Sequence, residues 1–191
     1  VLIGHSWGAW LAAMVAAKYP ELVSKLILVG SGPLDARYVN RINKRRLSRF
    51  SEAEKKLYQD LLEKLGQGDS GEKDHLLSQL GALCEKADTY RALHPPEKAV
   101  ADGGMFSKVF GEAARMRERG ELLALFSQIK CPLCIIHGEY DAHPPEGLTD
   151  PLSEKKINYN YCLLPKCGHT PWKEEYARER FFEILQKEIK V

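Results

Sequence analysis

The opening stretch Val1-Leu-Ile-Gly4-His5-Ser6-Trp7-Gly8-Ala-Trp10-Leu-Ala-Ala-Met-Val-Ala-Ala-Lys18 decides how the rest of the chain is read. Val1 to Ile3 is a short β-rich run that stops at Gly4. From Trp7 to Lys18 the residues are mostly Ala, Leu, Met and Trp, which favour helix, and apolar side chains fall on nearly every face. That pattern describes a buried helix. Between strand and helix lies Gly4-His5-Ser6-Trp7-Gly8, a G-x-S-x-G turn in the setting that gives it chemical meaning. A serine hydroxyl attacks a carbonyl only if it stands clear of the sheet, so the turn carrying Ser6 must be sharp and strained. Gly4 and Gly8 are expected to leave the space that side chains would otherwise fill. The helix starting at Trp7 would aim its first N–H groups, Trp7's own among them, at a developing oxyanion.

Working outward, Tyr19-Pro20-Glu21 ends the helix, and Lys25 to Gly30 is a continuous apolar run closed by glycine. Such a run suits a strand covered on both faces. Strand, helix and strand with short connections make a βαβ unit, hence a parallel sheet. Leu34 to Phe126 reads differently. Ser51-Glu-Ala-Glu54 is a capping box followed by Leu57, Leu61, Leu62 and Leu65 at helical spacing. After a loop over Gly66–Gly71, a second helix runs through Leu76, Leu77, Leu80 and Leu83. His94-Pro-Pro96 and Asp102-Gly-Gly104 punctuate before helical stretches at Phe106–Arg117 and Glu121–Phe126. The expectation is an α/β core over 1–33 and 127–191, with a helical insertion over 34–126. Cys131 to His137 and Asn158 to Leu164 are expected strands of the core, the second with Tyr159, Tyr161 and Leu163 alternating. A final helix over Pro171–Ile189 is expected to turn Tyr176, Phe181, Phe182, Ile184, Leu185 and Ile189 inward.

A serine nucleophile needs a base, and the base needs an orienting carboxylate. After an elbow of this kind the acid and then the histidine follow on loops beyond later strands. The run ending at His137 leads into Gly138-Glu-Tyr-Asp141, and the run ending at Leu164 leads into Pro165-Lys-Cys-Gly168-His169. Ser6, Asp141 and His169 are therefore the expected catalytic residues. Glu139 and Asp150 are alternative acids. His5 reads as structural, with a substrate contact as its functional alternative, and His143 sits where it could touch substrate.

Quoted as they stand, GHSWGAWLAAMVAAKYPELVSKLILVGSGP, IIHGEYD and CGHTPW resemble the elbow, acid loop and histidine loop of the α/β-hydrolase superfamily. The resemblance covers essentially the whole chain, running from the nucleophile strand to the last helix. It implies an α/β fold with a parallel sheet, a helical lid at 34–126, no cofactor and no metal. It also implies hydrolysis of a small ester, amide or peptide-like substrate through an acyl-enzyme. The Ser-Trp-Gly elbow and lid placement are similar to the proline-iminopeptidase-like and small-ester branch. A non-catalytic binding protein that keeps the fold is the competing expectation. Because the chain starts at Val1 inside an apolar run, it reads as a fragment, with further strands and a second oxyanion donor expected upstream. Val1–Ile3 would then be a bare sheet edge through which copies self-associate.

Composition narrows the remaining classes. The 191 residues are 44% hydrophobic and 28% charged, a globular balance. Lys+Arg number 28 against 26 Asp+Glu, a formal net charge of +2, so no strong field recruits nucleic acid or an anionic membrane. The apolar run Trp7–Ala17 is too short to span a bilayer. Five scattered cysteines argue against a disulfide scaffold and for a reducing, cytoplasmic setting. Cys131, Cys134, Cys162 and Cys167 are expected to be buried thiols rather than a zinc site, since they fall in or beside apolar strands. The basic run Arg37, Arg41, Lys44, Arg45, Arg46, Arg49 reads as a solvated helix face that also favours an anionic substrate.

Overall fold

A computed structural model describes residues 1–67, 72–95 and 102–190. Four strands, β1 (Leu2–His5), β2 (Leu26–Val29), β3 (Leu133–Gly138) and β4 (Asn160–Leu164), lie side by side in that order. Every pairing is parallel, with Leu2 opposite Leu26, Leu26 opposite Leu133 and Cys134 opposite Asn160. The fold is thus α/β around a parallel sheet. Because all four strands point the same way, their C-terminal ends open onto one edge. No helix among the described residues is long and apolar enough to cross a membrane.

Strand alternation divides the core in two. Leu26 and Leu28 turn to one face, where helix α1 (Trp7–Lys18) presents Ala9, Ala12, Ala13 and Ala16. Those small residues let the helix lie close on the sheet. Ile27 and Val29 turn to the other face, against Cys134, Ile136 and Phe181 of the C-terminal helix. With both faces covered, the β2 side chains are at most 1% exposed, as the unbroken apolar run predicts.

Between β2 and β3 the described residues form helices and no strand of the sheet: α2 (Val39–Arg49), α3 (Glu52–Gln67), α4 (Lys73–Asp88), α5 (Gly103–Glu118) and α6 (Glu121–Phe126). The Ser51 capping box forms, with the Ser51 N–H donating to Glu54 Oε2 at 2.8 Å. Helix α3 runs through Gly66 and Gln67, where a loop was expected, and Gly68–Gly71 and Pro96 of the expected loops lie outside the described residues. Helices α7 (Glu146–Glu154) and α8 (Arg178–Ile189) complete the core.

The last helix is shorter than expected. Pro171–Lys173 makes a 3₁₀ turn, and the chain does not become α-helical until Arg178. Only one stripe of so short a helix meets the sheet, so Phe181 is buried and Ile184 and Leu185 are half-buried, while Phe182, Ile189 and, ahead of the helix, Tyr176 are exposed. β4 also differs. Cys162 and Leu164 face the α8 layer, and Tyr161 and Leu163 are exposed, because β4 is an edge strand covered on that one side.

Candidate active site

Ser6 follows directly on β1, and its N–H donates to the Val29 carbonyl of β2 at 3.0 Å. Its backbone sits at φ 56° and ψ −124°, a conformation rarely adopted by a residue with a side chain. That strain is localised on the residue the motif identifies as nucleophile. Gly4 makes the turn possible: a Cβ there would lie 2.3 Å from the Gly8 carbonyl oxygen. The expectation for Gly8 is overturned, since a Cβ at Gly8 meets nothing within 4 Å among the described residues. Gly8 already belongs to α1 and points away from the crowded underside of the turn.

Asp141 and His169 stand beyond β3 and β4 at the same sheet edge. The two loops are tied by main-chain bonds, Glu139 N–H to Leu164 O at 2.9 Å and Tyr140 N–H to Cys167 O at 2.7 Å. His169 Nδ1 lies 2.8 Å from Asp141 Oδ2. Asp141 Oδ1 also accepts from the His143 N–H at 2.9 Å and lies 2.8 Å from His143 Nδ1. Burial of Asp141 opposes its charge, but the facing His169 and His143 with their hydrogen bonds hold its carboxyl well below the ordinary carboxylate range. An ionised carboxylate only accepts, so both Nδ1 atoms carry hydrogen and the Nε2 of His169 is the ring's basic atom. For His169, burial disfavours the charged ring, and the Asp141 charge and hydrogen bond outweigh it, raising its pKa. The Ser6 hydroxyl makes no hydrogen bond with any described residue, His169 included.

Neither alternative acid faces His169. Glu139 accepts weakly from the Lys166 N–H at 3.4 Å, and Asp150 accepts from the Tyr38 hydroxyl at 2.7 Å. The Nε2 of His5 lies 2.8 Å from the His169 carbonyl, and its ring packs against those of His169 and Trp172. Burial first, then the His169 charge, lowers its pKa to about 4. A neutral ring bonded in this way is a strut beneath the histidine loop, the structural alternative given for His5 above. His143 does line a cavity of about 230 Å³ together with Ser6 and Trp7.

The basic run is not a merely solvated face. Arg45 donates to the Asp141 carbonyl at 2.9 Å. Arg46 grips the buried Asp88 carboxylate at 3.0 Å through Nε and 2.5 Å through Nη2. The Asp88 main-chain carbonyl in turn accepts the His169 N–H at 2.8 Å. Buried Glu174 accepts from the N–H groups of Gly168, Tyr90 and Arg91. As supports of the acid and histidine loops, Arg45, Arg46, Asp88 and Glu174 carry no signal in the sequence. Their partners lie 42 to 96 residues away for the arginines, and a charge pattern along a helix carries no sign of that.

Asp141, His143 and His169 offer ligand atoms within 4.8 Å of one another, the one such cluster among the described residues. Their shared hydrogen bonds account for that convergence without an ion. Cys134 and Cys167 are buried, and burial pushes the Cys134 thiol up to about 12 and the Cys167 thiol higher still. Such thiols are poor nucleophiles; Cys131 and Cys162, expected to be buried as well, are only half-buried.

A family model described as alpha/beta hydrolase fold matches residues 1–176. The chain is 27% identical over 173 residues to the pimeloyl-[acyl-carrier protein] methyl ester esterase of Nitrosomonas europaea, covering 88% of this chain and 64% of that protein. Among solved structures it is similar to VinJ (TM-score 0.61, 17% identity, 97% of this chain and 64% of that one). It is likewise similar to the proline iminopeptidase of Mycobacterium smegmatis (TM-score 0.58, 18% identity, 97% and 62%). The chain therefore spans a little under two thirds of the length of these relatives. At such identities the structural likeness speaks to the fold alone.

Proposed function

Because the chain belongs to the α/β-hydrolase fold family, we propose that it carries the catalytic residues of a serine hydrolase that cleaves a small ester, amide or peptide-like substrate, an ester in the first instance. The observation that carries this reading is the 2.8 Å bond between His169 Nδ1 and Asp141 Oδ2 at the sheet edge where strained Ser6 stands. The esterase named among the relatives supports the choice of ester.

In this mechanism His169 Nε2 takes the Ser6 proton as Oγ attacks the acyl carbon. The imidazolium that forms is stabilised by Asp141, which also keeps hydrogen on Nδ1. The Trp7 main-chain N–H, in the first turn of α1 and without an intrahelical acceptor, faces the developing oxyanion. His169 then returns the proton to the leaving group, and water repeats the sequence on the acyl-enzyme. The Ser6 hydroxyl turns to His169 when substrate is bound; catalytic hydrogen bonds tighten in the Michaelis complex. Helices α2 to α6 act as the lid over this edge.

The test is labelling with a fluorophosphonate followed by peptide mass spectrometry. Modification of Ser6 is expected, with loss of ester turnover of about 10⁴-fold or more in Ser6→Ala. Modification elsewhere, or activity surviving in the alanine variant, overturns the assignment. A protein that binds ester without reacting with the probe would be the non-catalytic binder instead.

A further inference from the structure

The cavity that Ser6 lines is walled by Trp7, Trp10, Arg46, His143 and Arg117, and no carboxylate is among its described lining residues. Its two arginines are in different situations. Arg46 is neutralised by Asp88, as described above. Arg117, on α5, has no ion pair within 4.0 Å among the described residues, and its Nε is buried without a hydrogen-bond partner. Its guanidinium carbon lies 5.5 Å from the centre of the Trp10 ring. That ring is anchored in turn, its Nε1–H donating to the Gly32 carbonyl at 3.2 Å. Stacking on an indole face orients a guanidinium and offsets part of its lost hydration, but it supplies no acceptor. The Trp7 Nε1–H, from another residue of the same wall, is also buried and unpartnered among the described residues. Buried donors normally have acceptors, so two without them among the described residues leave the wall of this cavity short of acceptors.

We propose that Arg117, stacked on Trp10, is an anion-binding subsite of the Ser6 cavity, and that the substrate carries a carboxylate at the end of its acyl chain remote from the reacting carbonyl. The planar fork of the guanidinium suits two parallel bonds to a carboxylate, and its stack on Trp10 orients it before the ligand arrives. A cavity of about 230 Å³ has room for only a few methylenes between the acid and the reacting carbonyl. This deepens the hydrolase reading, and its ester arm rests on that reading.

Two measurements separate the proposals. In calorimetric titration, glutarate is expected to bind the chain at least tenfold more tightly than pentanoate, which has the same chain length without the second carboxylate. Arg117→Gln should weaken glutarate by about tenfold or more, and Arg117→Lys should recover part of the loss, since a point charge replaces a fork. In the second arm, mono-(4-nitrophenyl) glutarate is compared with 4-nitrophenyl pentanoate. Arg117→Gln should lower the ratio of kcat/KM for the acidic over the neutral ester by about tenfold or more. Equal binding of the two acids, or glutarate binding unchanged in Arg117→Gln, overturns the subsite even if neutral esters are hydrolysed. Glutarate binding through Arg117 with no ester turned over leaves the subsite standing and overturns the hydrolase.

Discussion

The main-chain carbonyl of Asp88 accepts the His169 N–H at 2.8 Å, so the end of α4 sets the height of the histidine loop. Asp88 is itself fixed by Arg46 of α2, with side chains 5% and 16% exposed. A buried ion pair of this kind costs much when one partner is removed. Arg46→Met should lower the unfolding free energy by about 3 kcal/mol, measured by urea denaturation. It should also cut ester kcat/KM through a loosened His169. Unchanged stability would show that the pair carries no structural role.

Gly168 lies where the same carbonyl passes close by. A Cβ at Gly168 would sit 2.0 Å from the Asp88 carbonyl oxygen and 2.5 Å from Glu174 Oε1. Gly168→Ala should therefore displace His169, with a fall in kcat of about 100-fold or more, on the scale of a misplacement of about 1 Å in a reacting group. At the elbow the contrast is between two glycines. Gly4→Ala should abolish activity and Gly8→Ala should leave the fold intact, with helix propensity in its favour by about 1 kcal/mol. A Gly8→Ala protein that fails to fold would contradict the open space seen there.

The acid limb of the pH profile should lie above the ordinary histidine value. Asp141 raises the His169 pKa, and the neutral ring is the working base, so kcat/KM rises with pH through that raised value. Asp141→Asn removes the charge that favours the imidazolium and the acceptor that fixes the tautomer. The limb should move to lower pH, while kcat drops by about 10⁴-fold, the size of that substitution in a serine triad. A limb that stays in place would assign it to another group.

His5 gives the opposite dependence in stability. Its folded-state pKa is about 4, below the ordinary 6.5. Between those values the unfolded chain binds a proton that the folded chain does not. Stability from neutral His5 is therefore complete above pH 6.5 and is lost as pH falls toward 4, up to about 3 kcal/mol at 1.36 kcal/mol per unit. Denaturation midpoints of the protein and of His5→Gln, compared from pH 8 to 4, should converge as pH falls. Parallel curves would mean that His5 takes up its proton freely in the folded state.

β1 pairs with β2 on one side and with no other described strand, and Val1 and Ile3 are 46% and 43% exposed. An open, apolar edge of this sort recruits another chain. The chain by itself should self-associate in light scattering, and Ile3→Lys should make it monomeric. A monodisperse parent chain would refute that role for the edge.

The sequence by itself determined the parallel α/β core and the loops that carry Ser6, Asp141 and His169. Those features are local: an unbroken apolar run means burial on both faces, and a glycine-flanked serine between strand and helix means an elbow. Local pattern failed where the outcome depended on the neighbour. The stretch Pro171–Ile189 is apolar enough to suggest six inward residues, yet the sheet takes up only Phe181 fully, with Ile184 and Leu185 half-buried. Gly8 looks as necessary as Gly4, and only the path of α1 shows that it is free. The basic run of α2 has the composition of a solvated face. Only tertiary structure turns Arg45 toward the Asp141 carbonyl and Arg46 onto Asp88, and leaves Arg117 in the Ser6 cavity without an acid partner among the described residues. A hydrophobic period records which side of a helix leaves water; it holds no record of which distant charge meets an arginine once the helix has docked.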